Sequence, residues 1–232
     1  RNIKKKILKV YQLFFYKNLH ALNLIKDQID KVNNKKLKKF LLFNFISIFF
    51  NCSLMSRYRG YENTSIKMGT YYVPPLIKDN NVLDSFIRKI NKTLHANKRI
   101  FKNTSNDLVK VQTIDATRMN NIKTNSIDII YTDPPYSDII NYSELNLVWD
   151  SWLSLKSNYK NEMIVCEETG KSFKNYFVLF EKFLNEASRV LKKDKKIILI
   201  FNHPKINHWS ELQKIILNSK FKIVDNLEPY RI

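Results

Sequence analysis

Glycine is nearly missing from this chain: three residues in 232, at positions 60, 69 and 170. None belongs to a glycine-rich turn of the kind that lets a backbone close around a nucleotide phosphate. Cysteine is almost as rare. Cys52 and Cys166 have no framework spacing, so a disulfide scaffold is excluded and a reducing, cytoplasmic setting is the default expectation. These two and the four histidines (His20, His95, His203, His208) show no zinc-type spacing, so no metal is expected. Long apolar runs are missing too. The most apolar stretch, Phe40 to Phe50, is interrupted by Asn44 and Ser47 and falls well short of the roughly 20 residues a spanning helix needs. There is no signal-peptide pattern, internal repeat or low-complexity tract.

Acidic residues are scarce in one half only. Residues 1–110 hold 23 Lys and Arg against 6 Asp and Glu, while the remainder holds 17 against 15. The first half is a basic block and the second is near neutral. That asymmetry fits a polyanionic partner, nucleic acid first, although a Lys-, Asn- and Ile-rich compositional bias would also produce it. A 44% hydrophobic content with 13% aromatics supports a packed core.

The periodicity predicts a long helix over residues 3–31, a break at Asn33-Asn34 and an apolar helix over 35–55, together a helical hairpin. Residues 57–79 carry Gly60, Gly69, Pro74-Pro75 and many Tyr and basic residues. They read as a long ordered loop whose rings either stack on bases or pack onto the core. A third helix follows over 81–100. From residue 108 the pattern becomes α/β. Strands are expected at 108–114, 127–132, 197–201 and 221–227, a basic turn at 192–196, and helices at 118–121, 142–153, 173–191 and 209–218. The strands at 127–132 and 197–201 read as buried. Such alternation implies a doubly wound parallel sheet, and the division suggested is a basic helical region, 1–103, and an α/β region, 104–232.

The most informative residues are Asp133-Pro134-Pro135-Tyr136, at the end of the 127–132 strand. Proline cannot donate to a ladder, so pairing stops there. Two rigid residues then fix where an acid and a ring point, at the strand end where open α/β sheets bind ligands. A carboxylate and a backbone carbonyl so placed can hold both N–H groups of an exocyclic base amine. They favour a pyramidal nitrogen with its lone pair aimed at an electrophilic methyl group, and they stabilise the positive charge that develops. Tyr136 offers a face for an extruded base.

With the residues that follow, Ser137 to Leu145 and then Trp149 and Trp152-Leu153, this stretch resembles the DNA amino-methyltransferases that modify adenine N6 or cytosine N4, and their adenine-specific branch in particular. The resemblance covers residues 105–228. It implies a partial Rossmann-like methyltransferase sheet after a helical segment, S-adenosyl-L-methionine as methyl donor, and DNA as substrate, with restriction-modification among the settings of such enzymes. RNA methylation and a non-catalytic nucleic-acid-binding subunit are the alternatives. The catalytic set it implies is Asp133, Pro134, Pro135 and Tyr136. Asp115 and Ala116, with Asp133, are implied at the cofactor, where Asp115 is otherwise a turn cap. Tyr136, Asn202 and His203 are implied at the substrate, where Asn202 and His203 are otherwise ordinary loop residues.

The pattern departs from the family in one respect: the Gly-rich turn that admits the cofactor is not found here. The first residue is Arg1, not Met, so the expectation is that the chain is an N-terminally truncated fragment, with residues 1–100 as an insertion. A separate subunit or a permuted order carrying that turn are the other two accounts. On any of them the chain alone is expected to be inactive.

Overall fold

A computed structural model describes residues 9–60, 64–67, 69–100, 109–156 and 159–224. The chain divides into two compact units, residues 1–110 with 142–157, and residues 111–141 with 158–232. It is mixed α/β, with six α-helices and a parallel strand pair among the described residues.

The first unit is helical. Helix α1, Tyr16–Asp30, is preceded by a short 3-10 turn, Val10–Leu13. The continuous helix expected from residue 3 is therefore broken (residues 1–8 lie outside the described part). The break is at Phe14 and Phe15, both in extended backbone conformation. The kink lets Leu13 and Phe14 enter the core side by side, and the Leu13 carbonyl accepts from the Leu54 N–H at 2.7 Å. Helix α2, Lys35–Ile46, starts at Asn34, whose side chain accepts from the N–H groups of Lys36 and Leu37, as an N-cap does. It ends nine residues earlier than expected. Beyond Ser47 the apolar sequence continues as turns, which bury Ile48, Phe49, Cys52 and Met55 from several directions. Helix α3, Val82–Ile100, begins after Asn81, whose side chain accepts from the Asp84 N–H.

The Tyr-rich segment between α2 and α3 is ordered where described. Strands β1, Arg57–Tyr58, and β2, Thr64–Ser65, pair antiparallel, and Arg57 also bridges to Ile77. Its described tyrosines differ in burial, and Tyr61 lies outside the described residues. Tyr71 packs on the core and its hydroxyl donates to the carbonyls of Glu144 and Leu145. Tyr58 and Tyr72 stay exposed, and Lys67 lies over the Tyr72 ring at 5.6 Å.

Helix α4, Tyr142–Leu153, has the expected bounds and the expected inner face, and it completes the core of this first unit. Val148 is buried, and Trp152 packs against the rings of Phe14, Phe45 and Phe49. The Trp149 indole sits edge-on to Phe50 and donates from Nε1 to the Ile46 carbonyl at 3.2 Å. Burying two indoles among phenylalanines is worth several kcal/mol, on the order of 3–5 for each large ring removed.

The second unit carries strands β3, Ile127–Thr132, and β4, Leu191–Leu199, paired in parallel. Helix α5, Phe173–Val190, lies between them in sequence and buries Tyr176, Phe177, Phe180, Leu184, Ala187 and Val190. Helix α6, Ile206–Asn218, begins three residues before its expected start. The basic turn expected at 192–196 is instead part of β4. Ile127 pairs with Leu191 and Ile129 with Lys196, so residues 192–195 bulge out opposite the single residue Asp128, with Asp194 at a φ of 60°. Lys192 and Lys195 both turn back to the Asp128 carboxylate.

Neither strand is fully buried, contrary to expectation. One side packs on α5 and α6 through Ile127, Ile130, Ile197 and Leu199, while Ile129, Tyr131 and Ile198 are 59%, 69% and 36% exposed. The strand expected at 108–114 is not formed in its described part, where Val109 and Val111 are 78% and 90% exposed. Residues 118–121 are turns, not a helix. The last expected strand shows no pairing at 221–224, and residues 225–227 lie outside the described part. The segments at 109–114 and 221–224 have strand propensity, yet they join no ladder among the described residues.

Candidate active site

The site is built on the parallel register of β3 and β4. Thr132 pairs with Leu199, and the Thr132 carbonyl accepts from the Ile200 N–H at 2.9 Å. Both strands therefore deliver their following residues to the same sheet end: Asp133 to Ser137 from β3, and Phe201 to Lys205 from β4. The ladder ends where the prolines begin, as the missing N–H groups require.

Asp133 is exposed and its carboxylate accepts from the Tyr136 hydroxyl at 2.5 Å. The two chemically useful groups of the motif are thus already joined to each other. The Tyr136 ring meets the Phe201 ring edge-on at 5.7 Å. Pro134 is buried, and the Pro135 carbonyl accepts from the Tyr176 hydroxyl at 2.6 Å. Tyr176 comes from α5 and is fully buried. That hydroxyl therefore fastens the corner from the α5 side. Burial pushes the Tyr176 phenol well above its ordinary value, so it stays a donor.

The residues after the motif are pinned as well. Ser137 is buried, has a φ of 60°, and its carbonyl accepts from the Val165 N–H. Asp138 meets His203 Nε2 at 2.7 Å and Lys205 Nζ at 2.6 Å. Burial alone would raise the Asp138 carboxyl. The bonds from Lys205 and His203, and their charges, outweigh it and bring the group to about 2.

The other expected site residues are placed as follows. Asp115 is exposed in a turn, and its Oδ1 accepts from both the N–H and the hydroxyl of Thr117. Those two bonds hold its carboxyl below the usual range. Ala116 is exposed beside it, and Asn202 is exposed at the end of β4. The His203 side chain is wholly sealed, so it lines no opening here. The structure thus brings together Asp133, Tyr136 and the 202–203 loop. It shows no contact between them and Asp115.

Among the described residues, Asp138, His203 and His208 form the one group with metal-type donor atoms. Their donor atoms lie within 4.8 Å of one another, but His203 Nε2 is engaged by Asp138 and His208 Nε2 by Ser137 Oγ. S-adenosylmethionine, the donor the family implies, finds a partial match. Asp115 offers an ionised carboxylate suited to an adenine amino group. However, Gly60, Gly69 and Gly170, each with φ above +70°, serve turns elsewhere, and Gly170 caps a 3-10 turn at Glu167–Thr169. None follows a strand of the parallel pair, so among the described residues no glycine turn meets the cofactor's methionine end.

Sequence reasoning missed Tyr176, Ser137, Asp138, Lys205 and His208. One sign was visible: Tyr176 is the lone hydroxyl in the buried stripe of α5, otherwise made of Phe, Leu, Ala and Val. No helix of the described residues is long and apolar enough to cross a membrane.

Comparison with curated proteins and with solved structures returned no match. Residues 127–228, a little under half of the chain, match the family model of the N6/N4 DNA methylases. That span starts at the first residue of β3 and takes in the motif corner, α4, α5, β4 and α6. Through this span the chain is similar to the DNA methylases of the adenine-N6 and cytosine-N4 family.

Proposed function

We propose that this protein transfers a methyl group from S-adenosylmethionine to the exocyclic amine of a base in DNA, adenine N6 in particular. The observation that carries the reading is the exposed Asp133 carboxylate on a proline corner at the carboxyl end of a parallel strand. Asp133 accepts one amine N–H and the Pro134 carbonyl accepts the other. Because Tyr176 already occupies the Pro135 carbonyl, the corner keeps its direction when the base arrives. Tyr136 gives up its bond to Asp133 as the base enters and stacks against it. Proton loss needs no dedicated base, since the amine becomes acidic once methylated.

Asp115 and Ala116 take the adenine end of the cofactor, and Asn202 lines the target-base side. The basic helical region holds the nucleic-acid backbone through its exposed lysines and arginines. The glycine content favours one further element: the cofactor's methionine end is held by a Gly-rich turn contributed from outside residues 1–232.

The test is label transfer from tritiated S-adenosylmethionine to duplex DNA and to RNA, using the protein expressed from its complete reading frame. Asp133→Ala should lower transfer about a hundredfold or more. Unchanged transfer would remove Asp133 from the chemistry, and transfer to RNA alone would replace the substrate.

A further inference from the structure

Two buried histidines remain unused by the reading above, and both converge on the two residues that follow the motif. His208, in the first turn of α6, faces Ser137 with Nε2 at 2.9 Å from Oγ. His203, after β4, faces Asp138. Their hydrogen bonds define their tautomers. His203 Nδ1 accepts from the Lys205 N–H at 3.1 Å, so its proton is on Nε2 and is donated to Asp138. His208 Nδ1 faces the Asn207 side-chain oxygen at 2.9 Å, so its proton is on Nδ1 and Nε2 accepts from the Ser137 hydroxyl. The two stacked imidazoles therefore hold opposite tautomers.

We propose that Ser137, Asp138, His203 and His208 form a positioning bracket that sets the direction of the amine-binding corner, an inference that rests on the function proposed for Asp133 and Tyr136. Ser137 adopts a left-handed backbone that a residue with a Cβ avoids, directly after Tyr136. That conformation turns the chain out of the motif, and it persists because contacts from three segments hold it. His208 holds Oγ, Val165 holds the carbonyl, and Tyr176 holds the Pro135 carbonyl two residues before. His203 and Lys205 then clamp the next residue. Neither histidine touches substrate, since both are 3% exposed or less. They are positioning residues and not catalytic ones.

The bracket is built to fail in acid. A proton on His203 Nδ1 would set two donors face to face, Nδ1–H and the Lys205 N–H. A proton on His208 would place a cation 3.5 Å from the His203 ring and beside Lys205, with Phe173 and Phe177 of α5 as its other neighbours. Among the described residues, Asp138 is the anion facing the pair, and it is already engaged by Lys205.

The experiment is NMR of the full chain with labelled histidine and tyrosine rings, joined to methylation kinetics of the protein from its complete reading frame. Ser137→Gly is the central variant, because glycine tolerates a φ of 60° and the fold survives while the Oγ contact is lost. His208→Gln is the second. The expected result is opposite tautomers for His203 and His208, a shifted Tyr136 ring signal in both variants, and a loss of about tenfold or more in kcat with KM for DNA held within about twofold. Acidification should move the wild-type Tyr136 signal, and move it less in His208→Gln. An unmoved Tyr136 signal in Ser137→Gly, or matching tautomers, overturns the bracket whatever the enzyme does. A moved signal in a protein that methylates nothing upholds the bracket and sinks the proposed reaction instead.

Discussion

Replacing Tyr176 by Phe removes one oxygen and leaves every carbon contact of α5 in place. The oxygen's position makes the consequence calculable. It donates to the Pro135 carbonyl at 2.6 Å, within a side chain that has no exposure. A satisfied hydrogen bond contributes about 1 kcal/mol net, and a buried backbone group left without a partner costs about 1–3 kcal/mol. Pro135 is half-buried, so water reaches part of its carbonyl, and the expected loss is about 2 kcal/mol. That is roughly thirtyfold in the unfolding constant and about 1 M in the urea midpoint. Trp209 is the one tryptophan of the second unit, so a fluorine label on tryptophan reports that unit's unfolding separately from Trp149 and Trp152. The corner itself should loosen as well, which the Ser137 amide signal would register. A midpoint within experimental error of wild type, with that amide unmoved, would refute the idea that the phenol fastens the motif.

Further outcomes follow from the same geometry. Asp133→Asn should leave the unfolding midpoint unchanged, because the carboxylate is exposed, while lowering methyl transfer about a hundredfold; a folding defect would show the residue to be structural. Trp152→Ala should cost the helical unit about 3–5 kcal/mol, read from its own unfolding transition, since Phe14, Phe45 and Phe49 all lose their shared partner. His208 is held below its ordinary 6.5 by burial first and by His203 next. Between that ordinary value and the lowered one, the unfolded chain binds a proton that the folded chain refuses. Stability should therefore fall as pH drops below about 6.5, level off beneath the folded value, and show a weaker fall in His208→Gln. Nucleic-acid affinity should drop steeply with salt, linearly on logarithmic axes, and a flat response would remove the basic region from binding.

Much of the corner was legible from sequence because its signals are local. An apolar run cut by Asp-Pro-Pro-Tyr gave β3 its observed end, and the spacing of Val148, Trp149 and Trp152 gave α4 its bounds. The strand at 108–114 was not legible, because alternation of Val109 and Val111 states a propensity while a ladder needs a neighbour. The lysine turn became a bulge because Asp128, more than sixty residues earlier, gathers Lys192 and Lys195. The His203–Asp138 and His208–Ser137 contacts join residues 65 and 71 positions apart, with no periodicity to betray them. For Asp115, sequence held both a cofactor role and a turn cap open. The structure shows the cap interaction with Thr117, and the cofactor role remains a proposal.

The chain passes between its two units more than once, and α4 is the element that makes this matter. Cutting after residue 110 would strip the helical unit of both its indoles and leave a hole lined by phenylalanine rings. Neither unit can be shuffled onto another protein as an uninterrupted gene segment. Any graft of the methylase portion must carry the helices along or replace α4 with a loop. Inheritance of the two parts is thereby tied together by a dozen residues.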